Sequence, residues 1–88
     1  CIACHTINGT SARGVLGPNL TRFGARRYVG AGARHNTLEN VIAWITRPQA
    51  PKPGALMPGA KGGAAGLPPT GLTDEEIRLV ATYLTSLK

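Results

Sequence analysis

The chain opens on "CIACH", five residues of which Cys1, Cys4 and His5 carry side chains able to bond carbon or metal. Two cysteines three positions apart can both reach the vinyl groups of one haem and form thioethers, while the adjacent histidine presents its imidazole to the iron. On that pattern Cys1 and Cys4 hold the macrocycle and His5 is the proximal ligand. The chain has only 2 cysteines, so other uses of the pair compete. A Cys1–Cys4 disulfide closes too small a loop to stabilise a domain much. A thioredoxin-like redox pair wants a preceding strand and a following helix, and neither is visible. A zinc site needs four ligands and would have to recruit His5 and His35 alongside both thiols.

The single methionine, Met57, stands inside "PKPGALMPGAKGGAAGLPPTG", a stretch whose proline and glycine content alone marks a linker. Iron in electron-transfer haem proteins is commonly held by histidine on one side and methionine on the other, and the thioether raises the potential. Flanked as "LMP" between two helical segments, Met57 offers the one thioether for that distal position. A core methionine filling a gap is the ordinary alternative. His35 is the rival ligand, and a bis-histidine iron would have a lower potential. Its place in an Arg- and Gly-rich stretch reads more simply as an exposed histidine at a helix entrance. Pro51, Pro53 and Pro58 restrict the unfolded chain, so "KPGALMPG" is expected to be ordered against the haem. "AKGGAAGLPPTG" is expected to be a flexible connection.

Two segments must position these groups, and both read as helices. "NTLENVIAWITRP" offers Asn36 as N-cap with Glu39 three residues on, then Leu38, Val41, Ile42 and Ile45 at helical spacing and Pro48 as the stop, which predicts a helix over 37–47. "LTDEEIRLVATYLTSLK" repeats the grammar: Thr73 caps, Glu76 sits at N3, and Asp74 and Glu75 lie where the helix dipole favours acids. Ile77, Val80, Ala81, Leu84 and Leu87 then line one face. No segment shows the apolar alternation of a strand, so the expected class is all-α with long connections. Two helices alone bury too little apolar surface to offset chain entropy, and a bound group in the middle is expected.

Eighty-eight residues make one domain, expected to span 1–88. No run approaches the length of a membrane span, and no signal-like block opens the chain. Because the candidate chemistry begins at the first residue, the chain is expected to be a fragment of something longer, with any anchor lying upstream. Ten Lys+Arg against four Asp+Glu give a formal charge of +6. Arg13, Arg22, Arg26, Arg27 and Arg34 face no acid in residues 1–38. Such a surface favours an anionic partner, although a solvated basic face is the plain alternative. Nucleic acid is disfavoured, since one Trp, two Tyr and one Phe give few stacking platforms.

Taken together, "CIACHTINGT", "GPNLTRFGAR", "GAG", "NTLENVIAWITRPQ", "KPGALMP" and "LTDEEIRLVATYLTSLK" resemble class I c-type cytochromes. "GPNLTRFG" and "WITRPQAPKPGALMP" are similar more particularly to the cytochrome c domain fused to the C-terminus of subunit II in some bacterial haem-copper oxidases. The resemblance implies a cytochrome c-like fold around one covalently attached haem c, with Cys1 and Cys4 as thioether positions, His5 proximal and Met57 distal. It implies that Pro18, in "GPNL", packs beside the proximal imidazole, where the carbonyl of Gly17 or Pro18 accepts its other ring N–H. It makes Trp44 similar to the family tryptophan before the methionine loop, as a propionate donor or a core aromatic, and offers Arg26, Arg27 and Tyr28 as propionate partners. The family helix that precedes CxxCH and crosses the last helix is missing here, which deprives Leu84 and its neighbours of their expected partner unless upstream sequence exists. The segment after Met57 is also longer than usual in the family.

The function so implied is outer-sphere electron transfer with no catalytic site in this domain. The donor would be a redox protein with an acidic face, and the acceptor the copper domain of the same subunit. The membrane would be reached only through the parent chain, on the extracytoplasmic side. A free periplasmic cytochrome, or a haem domain of another reductase, is the alternative, and a zinc or thiol-redox module a more distant one.

Overall fold

Two helices packed on each other organise the domain, and the computed structural model describes all 88 residues. Helix α1 spans Leu38–Thr46 and helix α2 spans Asp74–Ser86. The start of α2 follows from its local sequence. Thr73 Oγ1 accepts from the Glu76 N–H and the Glu76 carboxylate accepts from the Thr73 N–H, at 3.2 and 2.9 Å, closing a capping box. Asp74, Glu75 and Glu76 fill the first turn, where the exposed N–H groups favour negative charge.

Helix α1 corrects the expected cap. The residue that closes its first turn is Thr37, whose hydroxyl accepts from the Asn40 N–H at 3.2 Å. Asn36 is occupied elsewhere, since its Nδ2 donates to the carbonyls of Phe23 and Arg26 at 3.0 Å each. Both side chains can cap, and the tertiary neighbours of Asn36 decide which one does. At the other end the Arg47 N–H bonds the Ala43 carbonyl, and the buried Pro48 stops the helix.

The core lies where α1 meets α2 and where α2 meets a 3₁₀ turn at Phe23–Ala25. Val41 and Ile45 from α1 meet Ile77, Ala81 and Leu84 from α2, with Leu20, Phe23, Val29 and Ala60 completing the cluster. Val41 and Ile77 are each 1% exposed, and such burial stabilises by about 1.5–3 kcal/mol per side chain. Leu84 is itself buried, and the Gly24 N–H donates to the Leu87 carbonyl at 2.6 Å. The expectation that Leu84 lacks a partner is therefore corrected: the 3₁₀ turn supplies one from within this chain.

Beside the two helices the chain carries a small sheet, so the all-α class is not confirmed. Strands β1 (Tyr28–Val29) and β2 (Arg34–His35) pair antiparallel, Tyr28 opposite His35 and Val29 opposite Arg34. Two residues per strand are too few to show alternation in a sequence. The hairpin delivers one core side chain, Val29, and leads directly into α1.

The expected flexible connection after Met57 instead folds back on itself. Gly59 donates to the Gly62 carbonyl at 2.7 Å, Ala64 and Leu67 exchange backbone bonds, and Thr70 returns to the Gly59 carbonyl at 2.9 Å. Glycine-rich composition signalled freedom, but backbone hydrogen bonds need no side chains. No helix is long and apolar enough to cross a membrane.

Candidate functional site

The first five residues form one tight turn. The N–H groups of Cys4 and His5 both close on the Cys1 carbonyl, at 3.0 and 2.9 Å. These bonds close Cys1, Cys4 and His5 into one turn of the backbone. Both thiols are free, Cys1 exposed and Cys4 half-buried. The four-donor zinc set does not assemble, because no group of three or more His, Cys, Asp or Glu side chains converges as a metal site.

Residues 14–20 run back along this turn and fix the imidazole. Gly14 donates to the His5 carbonyl at 3.0 Å, Gly17 to the Cys4 carbonyl at 2.6 Å, and Leu20 to the Thr6 carbonyl at 2.8 Å. His5 Nδ1 lies 2.8 Å from the Pro18 carbonyl oxygen, which can only accept, so Nδ1 carries the proton and donates. That tautomer leaves the Nε2 lone pair free to act as an acceptor or a ligand. Gly17 is needed for this approach: a Cβ there would fall 2.6 Å from His5 Nδ1 and closer still to Cε1.

Met57 is half-buried in the loop that leaves α1. Its backbone is held from two directions. Gln49 Nε2 donates to the carbonyls of Ala55 and Met57, each at 2.9 Å. Beyond Met57, Ala60 and Lys61 donate to the carbonyls of Ile45 and Thr46 at 2.9 and 3.2 Å, two of the last helical carbonyls that have no partner inside α1. Sequence reasoning missed Gln49, because its acceptors lie six and eight residues downstream and are backbone atoms.

The remaining sequence-predicted residues lie on the hairpin side. Trp44 is half-buried against the core cluster and stacks over Gly30, whose φ of +66° and missing Cβ allow the contact. With Val29, Arg34 and Asn40 it lines a cavity of about 150 Å³. Arg26 is exposed; its Nη2 donates to the Asn19 carbonyl, and its guanidinium lies 5.7 Å from the Phe23 ring centroid. Tyr28 is 48% exposed and packs on the exposed His35 with ring centroids 5.1 Å apart. Arg27 is exposed and lends only its carbonyl, to the Asn36 N–H.

Two thiols on one turn, an imidazole with its Nδ1 proton fixed and a thioether on a tethered loop are the donor types that a covalently attached haem would use. The apolar surroundings fit a large flat hydrophobe. Ile2, between the two cysteines, and Leu56, next to Met57, are 64% and 74% exposed, and Val15 and Leu16, just before Gly17, are 87% and 82% exposed. Only 12 of 88 residues are buried, which suits a core that includes a bound group.

Comparison with known proteins shows the family. The chain is 36% identical over 88 residues to cytochrome c oxidase subunit 2 of Alkalihalophilus pseudofirmus, covering 100% of this chain and 22% of that protein. It is 35% identical over 91 residues to the subunit 2 of Bacillus sp. strain PS3, and 34% over 91 residues to that of Bacillus subtilis, again along the whole of this chain and 23% of each relative. The chain thus spans about a fifth of the length of the curated relatives it matches. The family model for cytochrome c matches residues 1–88. Because that match runs from the first residue to the last and takes in both loops that carry candidate ligands, this chain belongs to the cytochrome c family.

Proposed function

We infer that residues 1–88 are a monohaem electron-carrier domain, with haem c held by thioethers to Cys1 and Cys4 and by His5 and Met57 as axial ligands. The observation that carries this is the His5 bond to the Pro18 carbonyl within a CxxCH turn. It orients the ring, sets its tautomer and makes Nε2 a better donor. When bound, haem c takes up and releases one electron at its iron.

The protein's part is to hold both ligands in place. The turn at residues 1–5 is closed by backbone bonds, and the Met57 loop is tied to the end of α1. Rigid ligands let little reorganise between oxidation states, so no general acid or base is required. Pro18 carries out its role through its carbonyl. Trp44, Tyr28 and Arg26 would border the haem as donors toward its propionates, with Trp44 also serving the core.

Likeness to cytochrome c oxidase subunit 2 supports a place in a haem-copper oxidase, with electrons passed to a copper domain in the same polypeptide. All four acids sit in the first turns of α1 and α2, as Glu39 and Asp74 to Glu76. Arg13, Arg22, Arg27 and Arg34 are exposed elsewhere, so a redox donor with an acidic face suits the surface. Attachment of haem c implies the extracytoplasmic side. Expression in a host able to attach haem c tests the assignment: the intact mass should rise by one haem and no free thiol should remain. An unmodified mass with two titratable thiols would refute it.

A further inference from the structure

Resting on Met57 as the distal ligand, we propose that Gln49 is the positioning residue for that ligand, its one side-chain amide clamping the loop backbone on both sides of Leu56. The base of the clamp is rigid. Arg47 is tied to the Ala43 carbonyl at 2.9 Å, and Pro48, among the most deeply buried side chains, fixes the next step of the chain. Gln49 follows at once and is half-buried, so its Cα position is set by the end of α1.

The two acceptors define what the residue must be. Ala55 O and Met57 O both lie 2.9 Å from Nε2, and two carbonyls can be served only by the NH₂ end of an amide, one proton to each. A carboxylate of the same shape would set negative oxygen against both. The other ties on the loop, from Ala60 and Lys61 to the carbonyls of Ile45 and Thr46, are backbone to backbone. Gln49 is thus the side chain through which the sequence specifies the path of residues 55–57. Leu56 between the two clamped carbonyls is 74% exposed, so its packing does not do so.

A sulfur on a loop already ordered meets the iron without a further loss of chain entropy. With the clamp gone, that ordering falls on the Met57–iron bond, and an added ligand competes better. Two neutral hydrogen bonds correspond to roughly a ten- to hundredfold change in such a competition.

The test uses the haem-loaded protein with Gln49→Glu and Gln49→Leu, read by imidazole titration and by the far-red sulfur-to-iron(III) charge-transfer band. Imidazole should bind roughly ten- to hundredfold more tightly to both variants than to wild type, with the band weakened. Wild-type imidazole affinity and an intact band in the variants would overturn the proposal, and so would a loss of unfolding stability with imidazole affinity unmoved. Should neither variant hold haem, NMR of the wild-type protein decides. Both Gln49 Nε2 protons should exchange slowly and couple to the carbonyl carbons of Ala55 and Met57, whereas exchange at the free-amide rate would overturn it. Met57→Ala separates the two claims. A band that survives in Met57→Ala removes the ligand assignment, while a band lost there but intact in both Gln49 variants removes the clamp alone.

Discussion

The Nδ1 atom of His5 lies 2.8 Å from the carbonyl oxygen of Pro18, thirteen residues along the chain. A backbone acceptor cannot be altered by changing its side chain, so the bond is best probed through the neighbour that permits it. In Gly17→Ala the new methyl meets the His5 ring, and overpacking of this kind costs about 1–3 kcal/mol. The ring should tilt away from Pro18, lowering stability in denaturant and shifting the reduction potential. Unaltered stability and potential would show that the Gly17 contact is dispensable.

Met57→Ala should leave the haem attached, since both cysteines remain, while opening the sixth position to water or carbon monoxide. The optical spectrum of the oxidised variant should turn toward high spin. A low-spin spectrum and potential identical to wild type would remove Met57 from the iron.

The capping box of α2 predicts a local loss. Thr73→Ala removes the acceptor for the Glu76 N–H and should cost about 1 kcal/mol, measured by guanidinium unfolding. The spectrum should stay as it was, because Thr73 lies far along the chain from both candidate ligands.

The two neighbours at the start of α1 should differ in mechanism. Thr37→Ala loses a cap worth about 1 kcal/mol, whereas Asn36→Ala removes a donor from the carbonyls of Phe23 and Arg26, the former keeping the Arg26 N–H, at about 1–3 kcal/mol. Hydrogen exchange separates them: faster exchange confined to the first turn of α1 for Thr37→Ala, and faster exchange at Phe23–Arg26 for Asn36→Ala. The reverse pattern would restore Asn36 as the cap.

What could be read from the sequence was what depends on short range. The α2 cap and acids lie within four residues of one another, and the apolar face of Ile77, Ala81 and Leu84 repeats at helical spacing, so both the helix and its buried side were legible. CxxCH is equally local, since its three groups share one turn. Asn36 was misassigned because the choice between it and Thr37 rests on carbonyls ten and thirteen residues away. The hairpin of Tyr28–Val29 with Arg34–His35 is too short to leave a period. Residues 60–71 were misjudged because composition reports backbone freedom, while the bonds that order them join main-chain atoms. Gln49 left no local signal at all.

The central claim is a single haem c cycling by one electron between fixed axial ligands. A spectroelectrochemical titration of the protein matured in a haem c-attaching host tests it most directly. The expected result is one reversible one-electron transition between low-spin oxidised and reduced spectra, with the far-red sulfur band present only in the oxidised form. A colourless protein that consumes two electrons as a thiol pair, or none, would contradict it.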